Sequence, residues 1–134
     1  MIRKIVTGKV FRWTAIGLYA GLIFLASSRS IQVTAPSVPY LDKCVHFIEY
    51  GLFCTLLCWA ISAHLKDGRI RKLIFIAIII TALYGITDEV HQLFVPARTG
   101  EVSDWLADTA GAAVAGLCWL VLFPAWKARS EKQV

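Results

Sequence analysis

"LIFIAIIITAL", residues Leu73–Leu83, is apolar on every face of any helix it forms. A helix in a soluble bundle needs a polar face alternating with an apolar one at helical period. This stretch has none, and neither does "GAAVAGLCWLVLF", Gly111–Phe123. Working outward, four segments are long enough to cross a hydrocarbon core, which takes roughly 20 mostly apolar residues. They fall at about 10–28, 44–63, 73–95 and 105–126. Trp105 and Trp126 end the fourth, where indoles favour the membrane interface. The chain's 134 residues suffice for one small domain, and its 57% hydrophobic content with mean hydropathy +0.64 sets it apart from soluble chains. Strand alternation, hairpin turns and internal repeats are absent from the pattern. The expected fold is all-α, an integral membrane bundle of four transmembrane helices. A cleaved signal peptide is the alternative for the first segment, because Arg3, Lys4, Lys9 and Arg12 precede an apolar run ending in "FLASSRS".

Charge divides by side. The N-terminus, the 64–72 connection and the tail after Trp126 hold eleven Lys/Arg against Asp67 and Glu131. The other side holds Arg29, Lys43 and Arg98 against seven acids. This bias predicts both termini in the cytoplasm, with the acidic side outside. The net charge of +5 then reports loops facing anionic lipid, and nucleic acid is not an expected partner. The four cysteines lie in apolar segments without zinc-site spacing, so they read as small hydrophobes.

The apolar stretch from Leu73 runs into "YGITDEVHQLFVPARTG", Tyr84–Gly100. Asp88, His91 and Gln92 are spaced i, i+3, i+4 and read as one helix face, with Glu89 pointing elsewhere, toward Arg98 or interfacial water. Asp42, His46 and Glu49 share a face at the start of the second span, and Asp104 and Asp108 share one at the start of the fourth. Arg29 closes the first. Ionisable groups inside a membrane are costly unless paired or wet, which makes them candidates for function. Plainer readings stand beside this one. Asp42 and Asp104 suit helix starts, with Ser103 as an N-cap; Glu101 and Lys43 suit solvated loop charges; Arg29 and Arg98 suit interfacial anchors.

His46, Glu49, Asp88, His91, Asp104 and Asp108 would converge beneath the outer surface. Their negative charge needs an offset: protonation, ion pairs with Arg29 and Arg98, or a divalent cation. Mixed His and carboxylate ligands suit zinc or manganese better than calcium, with His46, Glu49, Asp88, His91 and Asp108 as the ligand set.

"SSR" (Ser27–Arg29), "DKCVHFIEYG" (Asp42–Gly51) and "TDEVHQLFVPARTGEVSDWLADTAG" (Thr87–Gly111), on four spans in this order, resemble the VanZ-like membrane proteins. The founding member is associated with teicoplanin resistance. The resemblance implies a bacterial or archaeal inner-membrane protein of the cell envelope. It carries over Asp42, Lys43, His46, Tyr50, Asp88, Glu89, Gln92, Arg98 and Asp104 as a motif set without assigned roles. Asp108 departs from it, since the family usually has Asn there.

Three functions follow. A binding protein would hold the head group of an envelope lipid, a lipid-linked cell-wall precursor or a lipoglycopeptide, with Arg29, Lys43 and Arg98 meeting phosphate or carboxylate. A membrane enzyme would act on a lipid-linked phosphate or glycosyl group, with His46 or His91 as acid/base beside Glu49 or Asp88, and Arg98 or a metal stabilising charge. A structural protein would use the polar network to fix helix registry. No readable nucleophile–base pair exists, which favours binding.

Overall fold

The computed structural model describes residues 8–29, 39–62 and 69–131, with side chains described as far as 124. Among these it forms four helices: α1 (Lys9–Ser27), α2 (Leu41–Ser62), α3 (Ile70–Gln92) and α4 (Val102–Glu131). All four are long and apolar enough to cross a membrane, α4 through Pro124. The expected four-helix architecture holds, with shifted boundaries. Helices α2, α3 and α4 each start three residues before the apolar runs, because their first turns carry polar side chains such as Asp42, Lys43 and Asp104. Helix α3 stops at Gln92, three residues early, and α4 continues past Pro124 for another seven residues.

Helix α2 is central. Its Tyr50, Phe53, Cys54, Leu57 and Cys58 form the core with Ile16 and Ile23 of α1, Ile74 and Ala77 of α3, and Ala112 of α4. The α2–α4 contact is the most extensive, and α1 is the most loosely attached helix, held mainly by α2. Arg12 secures α1 at one end: its Nη1 donates to the Trp59 carbonyl at 2.7 Å, and its guanidinium lies 4.8 Å from the Trp59 ring centre. The outward faces are greasy. Phe75, Ile79 and Leu83 of α3 and Leu117, Val121 and Leu122 of α4 are all exposed. In water that surface would aggregate; against lipid tails it is solvated. All four cysteines are free thiols.

Two glycines set helix separations. At Gly111 of α4 a Cβ would overlap the Phe47 backbone carbonyl, so α2 and α4 touch backbone to backbone there. At Gly85 of α3 a Cβ would stand 2.9 Å from Asp108 Oδ2, so this glycine makes room for a buried carboxylate of α4.

Trp105 differs from expectation. Its indole points inward from α4 and donates to the Ala82 carbonyl at 3.0 Å, stapling α4 to α3.

Candidate functional site

The polar side chains gather at one end of the bundle, where α1 and α3 finish and α2 and α4 begin. They form a cluster between α2, α3 and α4, buried at its inner end, and a cavity beside α1 that shares several of its residues.

The cluster centres on Lys43 and His46, one turn apart on α2. Lys43 Nζ lies 2.8 Å from Asp42 Oδ2, 2.8 Å from Glu101 Oε2 and against Asp104 Oδ1. It is thus a hub for three carboxylates, and the solvated-loop reading of Lys43 is corrected: Lys43 lies in the first turn of α2 and is turned toward α4, while Glu101 stays an exposed charge just before α4. Lys43's hydrogen bond, aided by Ser103, holds the Glu101 carboxyl below the usual carboxylate range. Ser103 does not cap α4. It sits inside the first turn, and its hydroxyl donates to Glu101 Oε2 at 3.0 Å, while the Glu101 carbonyl accepts the Asp104 amide. Deeper, His46 Nδ1 is 2.9 Å from Asp108 Oδ1, and His46 Nε2 is 3.8 Å from Asp104 Oδ2. Asp108 is fully buried.

Glu89 joins this cluster, which corrects the expectation that it points away. Its carboxylate and those of His46 and Asp108 offer ligand atoms within 4.8 Å of one another. Its Oε2 accepts the Glu101 amide at 2.7 Å. His91 leaves instead: its Nε2 is 2.9 Å from Ser28 Oγ and its ring lies on Phe24, both from the C-terminal end of α1. Helical angles explain the exchange. Gly85 and Glu89, four apart, face α4; Tyr84 and His91, seven apart, face α1, where the Tyr84 hydroxyl donates to the Ala20 carbonyl. Asp88 and Gln92 lie between, and Gln92 Nε2 donates to Asp88 Oδ2 at 3.2 Å. An arc of 100° from His91 to Gln92 is too wide to count as one face when helices pack on both sides.

The cavity holds about 1190 Å³. Its polar lining is His46 and Glu49 of α2, Asp88 and Gln92 of α3, and Asp42, Glu101 and Asp104, with Arg29 and Arg98 also present. Its apolar lining includes Leu22, Ile23, Leu25 and Ala26 of α1 and Val45 of α2. Tyr50 is fully buried one turn below His46, its ring parallel to the imidazole at 6.3 Å.

For Arg98 the sequence left two readings, an interfacial anchor or an ion pair with an acid. Arg98 donates to backbone instead, from Nε to the Arg29 carbonyl at 3.2 Å and from Nη2 to the Ala26 carbonyl at 3.3 Å. Both carbonyls lie at the C-terminal end of α1, where a cation is favourable, and that of Ala26 also accepts the Arg29 amide. The turn that aims Arg98 is tight: the Arg98 amide bonds the Val95 carbonyl, Pro96 takes the second position, and Ala97 takes φ 62° at the third.

The fold and site define a class: a multi-pass α-helical membrane protein with an acidic, histidine-containing cluster at one end of its bundle. The family model for VanZ/LLP1 matches residues 5–123, and the chain belongs to that family. No curated protein and no solved structure matches it.

Proposed function

We propose that this protein binds the polar head of an envelope amphiphile, at the outer face of the cytoplasmic membrane, in the cavity between α1, α2 and the α3–α4 turn. The observation that carries the reading is the cavity's two-sided lining, with Glu49, Asp88 and Gln92 against Leu22, Leu25 and Val45. A head group needs the first side and an acyl chain the second. The cations narrow the chemistry. Lys43 is engaged by three carboxylates and Arg98 by two carbonyls. The Glu49 and Asp88 side then suits an ammonium or sugar hydroxyls better than a bare phosphate, while Arg29 suits a phosphate at the rim. An aminated lipid, a lipid-linked cell-wall precursor and a lipoglycopeptide all belong to this class, and teicoplanin resistance would follow from capture of the last. The Lys/Arg bias supports the outward orientation. With Cys44, itself an exposed thiol at that end, replaced by serine, an impermeant maleimide should label Thr99→Cys in intact cells, and labelling only after lysis would reverse the orientation.

The test is lipid mass spectrometry on the full chain in nanodiscs containing phosphatidylethanolamine and phosphatidylglycerol. The amine lipid should be enriched, and Glu49→Gln and Asp88→Asn should each weaken retention about tenfold, the worth of one charge-assisted hydrogen bond. Equal retention of both lipids, or no change in either variant, refutes the reading. The second reading, a membrane enzyme acting on a lipid-linked phosphate or glycosyl group, draws on the His46–Asp108 pair, since a carboxylate orients an imidazole for proton transfer. It requires His46→Ala to abolish turnover in a protein that still inserts and folds.

A further inference from the structure

Glu89 and Asp108 each keep one buried carboxylate oxygen, Oε1 and Oδ2, that takes no hydrogen bond. Asp108 has no exposed surface at all, and its free oxygen occupies the space that Gly85 leaves. Among the described residues the nearby ammonium is that of Lys43, which already serves Asp42, Glu101 and Asp104. Two carboxylates thus share a low-dielectric pocket with one imidazole. Bringing ions there costs several kcal/mol each unless an opposite charge compensates.

We propose that His46, Glu89 and Asp108 hold one divalent transition-metal ion, zinc or manganese. A +2 charge balances the two carboxylates with a neutral imidazole. One nitrogen and two oxygens suit these ions, whereas calcium takes six to eight oxygens. The three ligand atoms lie within 4.8 Å of one another, and His46 Nδ1 and Asp108 Oδ1 are already 2.9 Å apart. Metal–ligand bonds of roughly 2.0–2.2 Å call for separations of about 3–3.5 Å, a change that side-chain rotation supplies. The Glu101 amide bonds Glu89 Oε2 and leaves Oε1 for the ion, the kind of outer contact that orients a ligand. Three protein ligands leave a coordination position. Of the three ligands, His46 also lines the cavity. This site differs from the ligand set expected from sequence by gaining Glu89 and losing Glu49, Asp88 and His91.

The full chain in nanodiscs, stripped with a chelator and dialysed against Zn²⁺ or Mn²⁺, is counted for metal by mass spectrometry. One equivalent per chain is expected with at least one of the ions. Glu89→Gln and Asp108→Asn should weaken binding at least tenfold, and His91→Gln should leave it unchanged. Asp108→Asn is read only if its melting curve remains cooperative; Glu89→Gln, at a half-buried position, decides otherwise. Less than about a tenth of an equivalent with both ions, wild-type binding in Glu89→Gln, or equal loss in His91→Gln overturns the site. No lipid is needed for binding, so the outcome stands apart from the head-group reading.

Discussion

Gly111→Ala tests how the bundle builds its polar end. Gly111 touches the Phe47 backbone, next in chain to His46, and lies three residues beyond Asp108. An added Cβ would overlap the Phe47 carbonyl, and ordinary contact is restored only if α2 and α4 part by roughly 1 Å. The same displacement carries His46 Nδ1 from 2.9 Å to beyond hydrogen-bond reach of Asp108 Oδ1. Three effects combine. Overpacking costs about 1–3 kcal/mol. A buried polar pair left unmade adds about 1–3 kcal/mol. The better helix propensity of alanine returns up to about 1 kcal/mol. The expected net loss is about 3 kcal/mol, or roughly 10 °C of melting temperature for a chain of this size. The assay is thermal unfolding of the full chain in detergent, with the nitrogen chemical shifts of the His46 ring as a second readout. Gly21→Ala is the control, because nothing lies within 4 Å of a Cβ there, and it should match or slightly exceed the wild type. A Gly111→Ala protein that melts at or above the wild-type temperature with unchanged His46 shifts would refute the close-contact account.

Lys43→Ala should cost about 3 kcal/mol, since it strands Asp104, which is buried, while Lys43 itself keeps some exposure. A double-mutant cycle with Asp104→Asn should recover most of that loss, and simple additivity would show that the pair is not coupled. The Lys43–Glu101 contact also makes stability acid-sensitive. Glu101's folded pKa is lowered, so its contribution is full above the ordinary carboxylate range and fades as acidification passes the lowered value. Glu101→Gln should flatten that part of the pH–stability curve. Ala97→Gly should stabilise by about 1 kcal/mol, because the left-handed conformation costs a non-glycine residue that much; a destabilised variant would mean that Ala97's φ of 62° is not strained.

Hydropathy alone located the four spans, because an all-round apolar helix has no other stable home than lipid or a large core. It misplaced their starts, since apolar runs omit the polar first turn that a helix shares with the interface. The site was legible as a set of residues and much less so as a geometry. Asp42, His46, Glu49, Asp88, Gln92 and Asp104 line one cavity, and each had been singled out, His46, Glu49, Asp88 and Gln92 as polar groups within apolar spans and Asp42 and Asp104 as acids sharing a helix face with a polar group one turn deeper. Lys43 was underrated because a lysine at a helix start is solvated unless another helix brings acids to it, and α4 brings Asp104.

Glu89 and His91 exchanged places for a different reason. Spacing along a helix gives relative angles, but not which neighbour each angle meets. That second quantity is set where backbones touch, and the touching points are marked by small residues. Gly85 faces Asp108, so its i+4 neighbour Glu89 must face α4 as well; Gly111 faces Phe47, so Asp108, one turn earlier on α4, must face α2 near His46. Both glycines were visible in the sequence. Anchoring the helical angles at them, instead of grouping ionisable residues by spacing, places Glu89 with His46 and Asp108 and sends His91 toward α1. In a lipid-embedded bundle the small residues therefore orient the polar ones, and the chemistry available at the site follows from where the glycines fall.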